Sequence, residues 1–557
     1  MNYMLNKYLD KVDFESYEDF RKNYKLTYPD NFNFGFDVVD DWARVEPEKR
    51  ALVWCNDHGE EHVFTFTDVK KYSNKIANYF TEIGLKKGDV VLLILKRRYE
   101  YWMTVTACHK MGVICIPASP QMTTHDLAYR INKIGIKMAI CADDPYVINQ
   151  MEGTRSQCPS LKITAKIGEK LDGWDDFTAG YINQSDVFER PTGDKAVMAN
   201  DPMIMYFTSG TTGMPKLVQH VQSYPLGHIL TAKYWQQVKE NGLHYTVADS
   251  GWAKFSWGKI YGQWIAGSAV MGYDMDKFYA SNLLSVISKY KVTTFCGPAT
   301  MYRFMIKEDM SSYDLSSVQH FSMAGEPLNP VVMEEWQKIT GHRIYEGFGQ
   351  TESVVIMANY QWSDPVPGST GRPAASFPIR IMREDGTECD IGEEGEIVIV
   401  GAKENRPTGL TIGYYNDPEA NERLYRGGNY HTGDNAWYDA NGYIWFVGRN
   451  DDVIKCSGYR IGPFEVESAI MTHPSVLECA VTAAPDPTRG QVVKATIVLA
   501  KGWEPSEELK KEIQNHVKKE TAPYKYPRIV EFVDELPKTL SGKIKRNEIR
   551  KNDNENK

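Results

Sequence analysis

Helix and strand signals alternate through the first half of this chain, and that alternation restricts the fold more than any single motif does. Thr67 is a candidate cap for a helix whose apolar positions Val69, Tyr72, Ile76, Phe80 and Ile83 step by three and four, with Gly84 past its end. Val90 to Leu95 follows as an unbroken apolar run, as expected of a strand buried on both faces. A helix through Tyr99 to Met111 leads to a strand at Val113 to Ile116. Another, capped by Thr124 and ended by Gly135, leads to Ile136 to Cys141. The pattern resumes with a helix ending near Tyr290 and a strand at Val292 to Phe295. Repeated β-α-β units predict parallel sheets covered by helices on both faces.

The texture changes after Trp362. Pro365, Pro367, Pro373 and Pro378, with Gly368 and Gly371, punctuate short strands such as Glu396 to Val400, which predicts a small antiparallel, β-barrel-like subdomain. A compact tail follows Arg449: a helix from Pro463, strands at Val476 to Val481 and Val492 to Leu499, a helix from Ser506 and a strand at Ile529 to Val533. At 557 residues the chain exceeds what one core supports. The expected class is therefore α/β. A large N-terminal domain (1–450) holds two helix-covered sheets and the barrel-like unit. A small mobile α+β domain (451–557) is joined to it at the polar Asn450-Asp451-Asp452.

Net charge of −9 gives no general attraction to nucleic acid or to an anionic membrane. Nine cysteines stand singly, without a Cys-x-x-Cys pair, which argues against disulfides and structural zinc and for a reducing cytoplasm. No segment approaches the ~18 consecutive apolar residues of a membrane span. A cytoplasmic protein without stable membrane anchoring is expected, and monomer and homodimer both stay open.

The stretch from Met203 to Lys216 carries the first chemical signal. An apolar run empties into Thr208-Ser209-Gly210-Thr211-Thr212-Gly213-Met214-Pro215-Lys216. Glycines let backbone N–H groups turn toward an anion, the hydroxyls add donors, and Lys216 adds a mobile charge. Leu217 after the lysine excludes a Walker A loop. Alone, the segment reads as a phosphate cradle or as a solvated turn.

Further segments follow in order: Ala324-Gly325-Glu326-Pro327, Glu346-Gly347-Phe348-Gly349-Gln350-Thr351-Glu352, Tyr430-His431-Thr432-Gly433-Asp434, Gly448-Arg449-Asn450-Asp451-Asp452-Val453-Ile454-Lys455 with Gly458-Tyr459-Arg460, and Pro537-Lys538-Thr539-Leu540-Ser541-Gly542-Lys543. Together they resemble the adenylate-forming superfamily of acyl-CoA synthetases, luciferases and peptide-synthetase adenylation domains. The resemblance runs from about Asp37 to Arg546, and its motifs look most like those of medium-chain acyl-CoA synthetases and acetyl-CoA synthetase.

The resemblance implies an ATP-dependent ligase: a carboxylic acid, ATP and CoA give acyl-CoA, AMP and pyrophosphate through an acyl-adenylate. A stand-alone enzyme loading a carrier protein, or an aryl-acid CoA ligase, is the alternative. Thr208 to Lys216 would hold the β- and γ-phosphates, and Glu352 with Thr208 would bind Mg²⁺, an ion that prefers oxygen ligands and substrate phosphates. Gly325, Glu326 and Pro327 resemble the adenine shelf. Glu346, Gly347, Phe348, Gly349, Gln350 and Thr351 complete the base side, with Phe348 where many relatives place tyrosine. Asp434 and Arg449 would grip ribose and Arg460 would watch the phosphates. Lys543 would enter the site for adenylation and then leave by rotation about Asp451, bringing Gly458 to the thiol tunnel. His431 is read as structural.

Coenzyme A carries phosphates, so Arg489, Lys525 and Arg528 are candidates for its mouth, beside Ser457, Gly458 and Tyr459. For the acid, Lys254, Trp257, Cys296, Gly325 and Gly349 are the candidate wall. Gly349 stands where acetate-specific relatives carry tryptophan. The expectation is an open floor and an acid larger than acetate, with the Lys254 head escaping to solvent.

Overall fold

The computed structural model describes residues 2–208, 214–326, 328, 330–456, 459–486, 489–538 and 544–555; the side chains at 455, 459, 460 and 552–555 lie outside that description. Among the described residues the chain forms an eight-stranded sheet, a nine-stranded sheet, a four-stranded sheet and a five-stranded sheet.

The β-α-β reading gives the first two sheets. Val90–Ile94 pairs in parallel with Ile114–Pro117 on one side and Met138–Cys141 on the other. All five residues of Val90–Ile94 are buried, as a strand covered on both faces requires. Pro202–Thr208 joins this sheet parallel to Ile114–Pro117, then turns back antiparallel into Lys216–Val221. In the second sheet Leu243–Thr246, Thr294–Gly297, His320–Met323 and Ile344–Phe348 run parallel and side by side. Parallel strands aim their C-terminal ends the same way, so Thr246, Gly297, Met323 and Phe348 finish at one edge. That is where open α/β sheets place ligands.

Two helix starts differ from expectation. The helix Phe66–Glu82 is capped by Thr65, not Thr67: the Thr65 hydroxyl accepts from the Asp68 amide, and the Asp68 carboxylate accepts from the Thr65 backbone. Thr67 instead donates to the Pro47 carbonyl at 2.8 Å. Thr123, not Thr124, caps Thr124–Ile134 through the same box with Asp126. Gly112 and Gly135, at φ 70° and 72°, close their helices in the left-handed region.

The four-stranded unit is antiparallel, in the order Ile379–Met382, Gly395–Ile399, Tyr430–Tyr438, Ile444–Arg449. Its outer strands do not pair with each other among the described residues, so it is an open sheet. Its long third strand places Asp434 directly opposite Arg449.

The tail builds its own apolar core from Ile454, Ile461, Val466, Ile470, Val481, Val493, Ile497, Ile513, Val517 and Val530. Val476–Asp486 extends beyond the expected strand and forms a long hairpin with Gly490–Leu499, which Ile529–Phe532 joins in parallel. Ser506 caps Glu507–Glu520 as the sequence suggests. No helix among the described residues is long and apolar enough to cross a membrane.

Candidate active site

The hairpin after Pro202–Thr208 fixes the ends of the proposed phosphate loop. Thr208 and Lys216 are cross-strand partners at the two ends of that loop. Ser209, Gly210, Thr211, Thr212 and Gly213 lie outside the described residues. The Lys216 ammonium sits 4.9 Å from the centre of the Tyr414 ring. The Tyr414 hydroxyl donates to Glu352 Oε1 at 2.8 Å. Burial, then the Glu352 charge, pushes the Tyr414 phenol far above its usual range, so it stays a donor. Tyr414 thus links the loop to the carboxylate of the Gly349–Glu352 motif. Sequence reasoning missed it, because it lies on a two-residue strand, Gly413–Tyr414, whose only signal is tertiary pairing with Val218 and Gln219.

Gln350 ties the same motif to Asp434. Its amide nitrogen donates to the Asp434 carboxylate and to the Thr432 carbonyl, and its oxygen accepts from the Tyr430 hydroxyl at 2.6 Å. Asp434 is 4 % exposed, and Arg449 reaches it at 3.8 Å while lying 3.6 Å from Asp451. Gln350 therefore orients a ribose-binding candidate through its own side chain. His431 bonds Glu396 at 2.9 Å inside the four-stranded sheet, a structural placement.

On the base side, Phe348 ends its strand 5.7 Å from Phe446, and Glu346 lies two residues earlier. Burial pushes the Glu346 carboxyl up to about 8, with the Leu328 amide pulling the other way. The Thr351 carbonyl meets His220 Nε2 at 2.8 Å. Gly325 holds φ at 106°, a conformation that favours glycine. Glu326 caps the helix Ala299–Met305, its Oε1 accepting from the Thr300 amide at 2.6 Å and hydroxyl at 2.7 Å. The carboxylate of the proposed adenine shelf thus has a structural task. Pro327 lies outside the described residues.

The proposed acid wall differs in two respects from expectation. Lys254 does not send its head to solvent: Nζ donates to the Ala324 carbonyl at 2.7 Å and would lie 3.8 Å from a Cβ at Gly325. Gly349 does not border open space. A Cβ there would lie 2.4 Å from the Trp257 indole and 2.4 Å from the Val354 carbonyl oxygen. The glycine makes room for Trp257, which packs edge-on to Trp235 at 6.2 Å. A Cβ at Gly347 would likewise meet Trp235 at 2.5 Å. Cys296, 1 % exposed, sits mid-strand in the same core as Trp257.

Of the proposed CoA ligands, Ser457, Gly458 and the side chain of Tyr459 lie outside the described residues, and so does the side chain of Arg460, proposed for the phosphates of ATP. Arg489 is exposed at the hairpin end, its amide donating to Asp486 at 2.8 Å. Lys525 is paired with Glu465 at 2.5 Å, and Arg528 donates to the Tyr526 hydroxyl at 2.8 Å. Lys525 is thus less available to a phosphate than the sequence suggested. Lys543 lies outside the described residues.

Comparison with known proteins meets this geometry. The description "AMP-binding enzyme" matches residues 39–415, and "AMP-binding enzyme C-terminal domain" matches 465–543. The chain belongs to the AMP-binding enzyme family. It is 40% identical over 550 residues to mouse mitochondrial acyl-coenzyme A synthetase ACSM3, covering 97% of this chain and 93% of that one. Human mitochondrial acyl-coenzyme A synthetase ACSM4 is 40% identical over 94% of this chain and 90% of its own. Among solved structures, the anthranilate CoA ligase AuaEII in complex with anthranoyl-AMP superposes with a TM-score of 0.86 at 28% identity, covering 95% of this chain and 98% of that chain. The Brucella canis acyl-CoA synthetase does so at 0.70 and 31%, covering 94% and 95%. The two-domain α/β architecture expected from the sequence is that of these adenylate-forming enzymes.

Proposed function

We propose that this chain is an AMP-forming acyl-CoA synthetase that activates a small carboxylic acid as its adenylate and transfers the acyl group to CoA. The observation that carries the reading is the contact chain Lys216–Tyr414–Glu352, which joins the end of the hydroxyl-rich loop to the motif carboxylate, with Gln350 joining that motif to Asp434. The acyl-coenzyme A synthetases at 40% identity over nearly the full length support the same reaction.

A carboxylate attacks the α-phosphorus only when both partners are held in line and the phosphate charge is compensated. In this reading Thr208 and Lys216 hold the polyphosphate end, Asp434 and Arg449 the ribose, and Phe348 and Glu346 the base. Lys543 compensates charge between carboxylate and α-phosphate. The Glu352 carboxylate, which accepts from Tyr414, and the Thr208 hydroxyl at the start of the loop are the oxygen donors that would hold Mg²⁺, an ion that takes most of its ligands from phosphate and water. When bound, the ion neutralises phosphate oxygens. Rotation about Asp451 then exchanges Lys543 for the CoA-binding face of residues 451–557.

Trp257, which fills the space beside Gly349, is the wall proposed to limit the length of the acid. The nine cysteines are all free and buried, which suits a reducing compartment. We place the chain in the cytoplasm, while the curated relatives are named mitochondrial. Acid-dependent ATP–pyrophosphate exchange tests the first step, and CoA-dependent AMP release the second, with acetate, propanoate, butanoate, 2-methylpropanoate, hexanoate and benzoate. Exchange with no acid of this panel overturns the reading.

A further inference from the structure

The residues on either side of the Lys543 loop are anchored. Lys538 and Ile544 form an antiparallel bridge, the Lys545 amide donates to the Pro537 carbonyl at 2.8 Å, and Lys538 Nζ bonds Glu478 at 2.7 Å. The helix Arg546–Glu555 starts immediately afterwards. It packs through Ile549, 5 % exposed, against Ala480, Val498 and Leu536.

The polar face of that helix reaches the hinge. Arg550 Nη1 donates to Asp452 Oδ1 at 2.7 Å and to the Asp451 carbonyl at 3.3 Å. One turn earlier, Arg546 Nη2 donates to both oxygens of Glu467, at 2.6 and 2.8 Å, and Arg546 Nη1 lies 3.9 Å from Asp452. Glu467 also accepts from the Val481 amide at 2.8 Å, so this anchor belongs to the tail's core. Two arginines and two carboxylates balance in charge, and each side chain is at least three-quarters shielded.

We propose that Arg550 and Asp452 are positioning residues for adenylation. Their ion pair ties the helix that follows Lys543 to the chain directly after Asp451. Rotation at the hinge then moves the helix that follows Lys543 and the hinge exit as one body. Without the tie, the turn at 451–452 keeps only the longer 3.9 Å approach of Arg546 to Asp452 among the contacts named above, and error in the hinge angle is not passed faithfully to the lysine. Removing one partner of a largely shielded ion pair also costs stability. Misplacing a reacting group by about 1 Å costs about 100-fold in rate. A loss confined to one half-reaction therefore separates placement from folding. Thioester formation does not use Lys543, so it should be indifferent to the tie.

The inference rests on the acyl-CoA synthetase reading and on the role given there to Lys543, and a separate variant tests each. Full-length Arg550→Ala and Asp452→Asn are assayed for pyrophosphate exchange with the best acid of the panel above. Thioester formation is assayed in a single turnover from that acid's synthetic adenylate and CoA. Each variant is expected to lose about 10- to 100-fold in exchange and less than about threefold in thioester formation. The double variant should lose no more than the worse single one, since both break one interaction. Arg550→Lys keeps the charge without the fork and should fall between parent and Arg550→Ala. Should Arg550→Ala fail to fold, Asp452→Asn and Arg550→Lys give the same readout. Exchange within threefold of the parent, equal losses in both half-reactions, or additive losses in the double variant would overturn the proposal. Lys543→Ala retaining full exchange would overturn the underlying reading instead.

Discussion

Glu346 shows how burial alone changes what one side chain offers. Raised to about 8, its carboxyl is mostly protonated at neutral pH and both donates and accepts. An adenine edge presents an amino donor beside a ring-nitrogen acceptor, which a neutral carboxyl matches and a carboxylate does not. ATP affinity, measured by calorimetry between pH 6 and 9.5, should therefore fall as pH rises through about 8. Glu346→Gln should bind well at pH 7 and lose that dependence; a flat parent profile refutes the assignment. A folded pKa above the ordinary carboxylate value gives a contribution fully present below about 4.5 and lost as pH rises to about 8. The Gln variant should gain thermal stability over the parent on the alkaline side. Trp257 carries the second residue-scale prediction. Each buried methylene contributes about 0.8 kcal/mol, close to fourfold in specificity. Trp257→Ala should therefore shift preference from butanoate toward hexanoate by more than tenfold in kcat/KM. Gly349→Ala should destabilise by about 1–3 kcal/mol through overpacking, because its Cβ meets both a ring and a backbone oxygen. An unchanged acid ranking in Trp257→Ala would show that the acyl chain runs elsewhere. The sequence could not reveal this packing, since residues 257 and 349 meet only after the second sheet is assembled.

At the scale of elements, the strands and helices of the α/β part were legible because each buries a continuous or periodic apolar face. What blurred was their ends. Thr65 and Thr67 are equally plausible caps by type, and only the position of Asp68, three residues after Thr65, selects the first. Short elements were illegible for a different reason. Gly413–Tyr414 has no periodicity to read and exists because it adds to the edge of Lys216–Val221. Yet this strand brings Tyr414 to Glu352. Tyr414→Phe removes one donor from a carboxylate, an interaction of about 1.5–3 kcal/mol when charged. It should lower kcat/KM for ATP in pyrophosphate exchange by about tenfold or more and leave CoA transfer from a supplied adenylate unchanged. A Tyr414→Phe enzyme with parental exchange would reduce the tyrosine to a packing residue. The motif positions fared unevenly by the same logic. Asp434 and Arg449 are brought opposite each other by strand register, whereas Glu326 and Lys525 are held by Thr300 and Glu465, partners no local pattern announces.

Across the whole molecule, the tail has an apolar core of its own, and the chain enters it through Asn450, Asp451 and Asp452. Polar contacts at the proposed joint include the Asn450 amide to the Gly433 carbonyl at 2.9 Å, the Asp452 amide to the Arg449 carbonyl at 3.0 Å and the Arg449–Asp451 pair, beside the Arg550 contacts to Asp451 and Asp452. A large backbone rotation there would exchange hydrogen bonds that water can replace without opening either core. Proline at 451 removes one rotation by fixing φ near −65° and also restricts Asn450. If the reaction needs two orientations, Asp451→Pro should permit one and deny the other. A protein held for adenylation would release one equivalent of pyrophosphate in a single turnover, retain its adenylate, and fail to form thioester when CoA is added. Steady-state turnover should then fall by orders of magnitude while the burst survives. Turnover equal to that of the parent would mean that the pivot lies elsewhere in the chain, and loss of the burst together with turnover would mean that the proline had locked the opposite orientation.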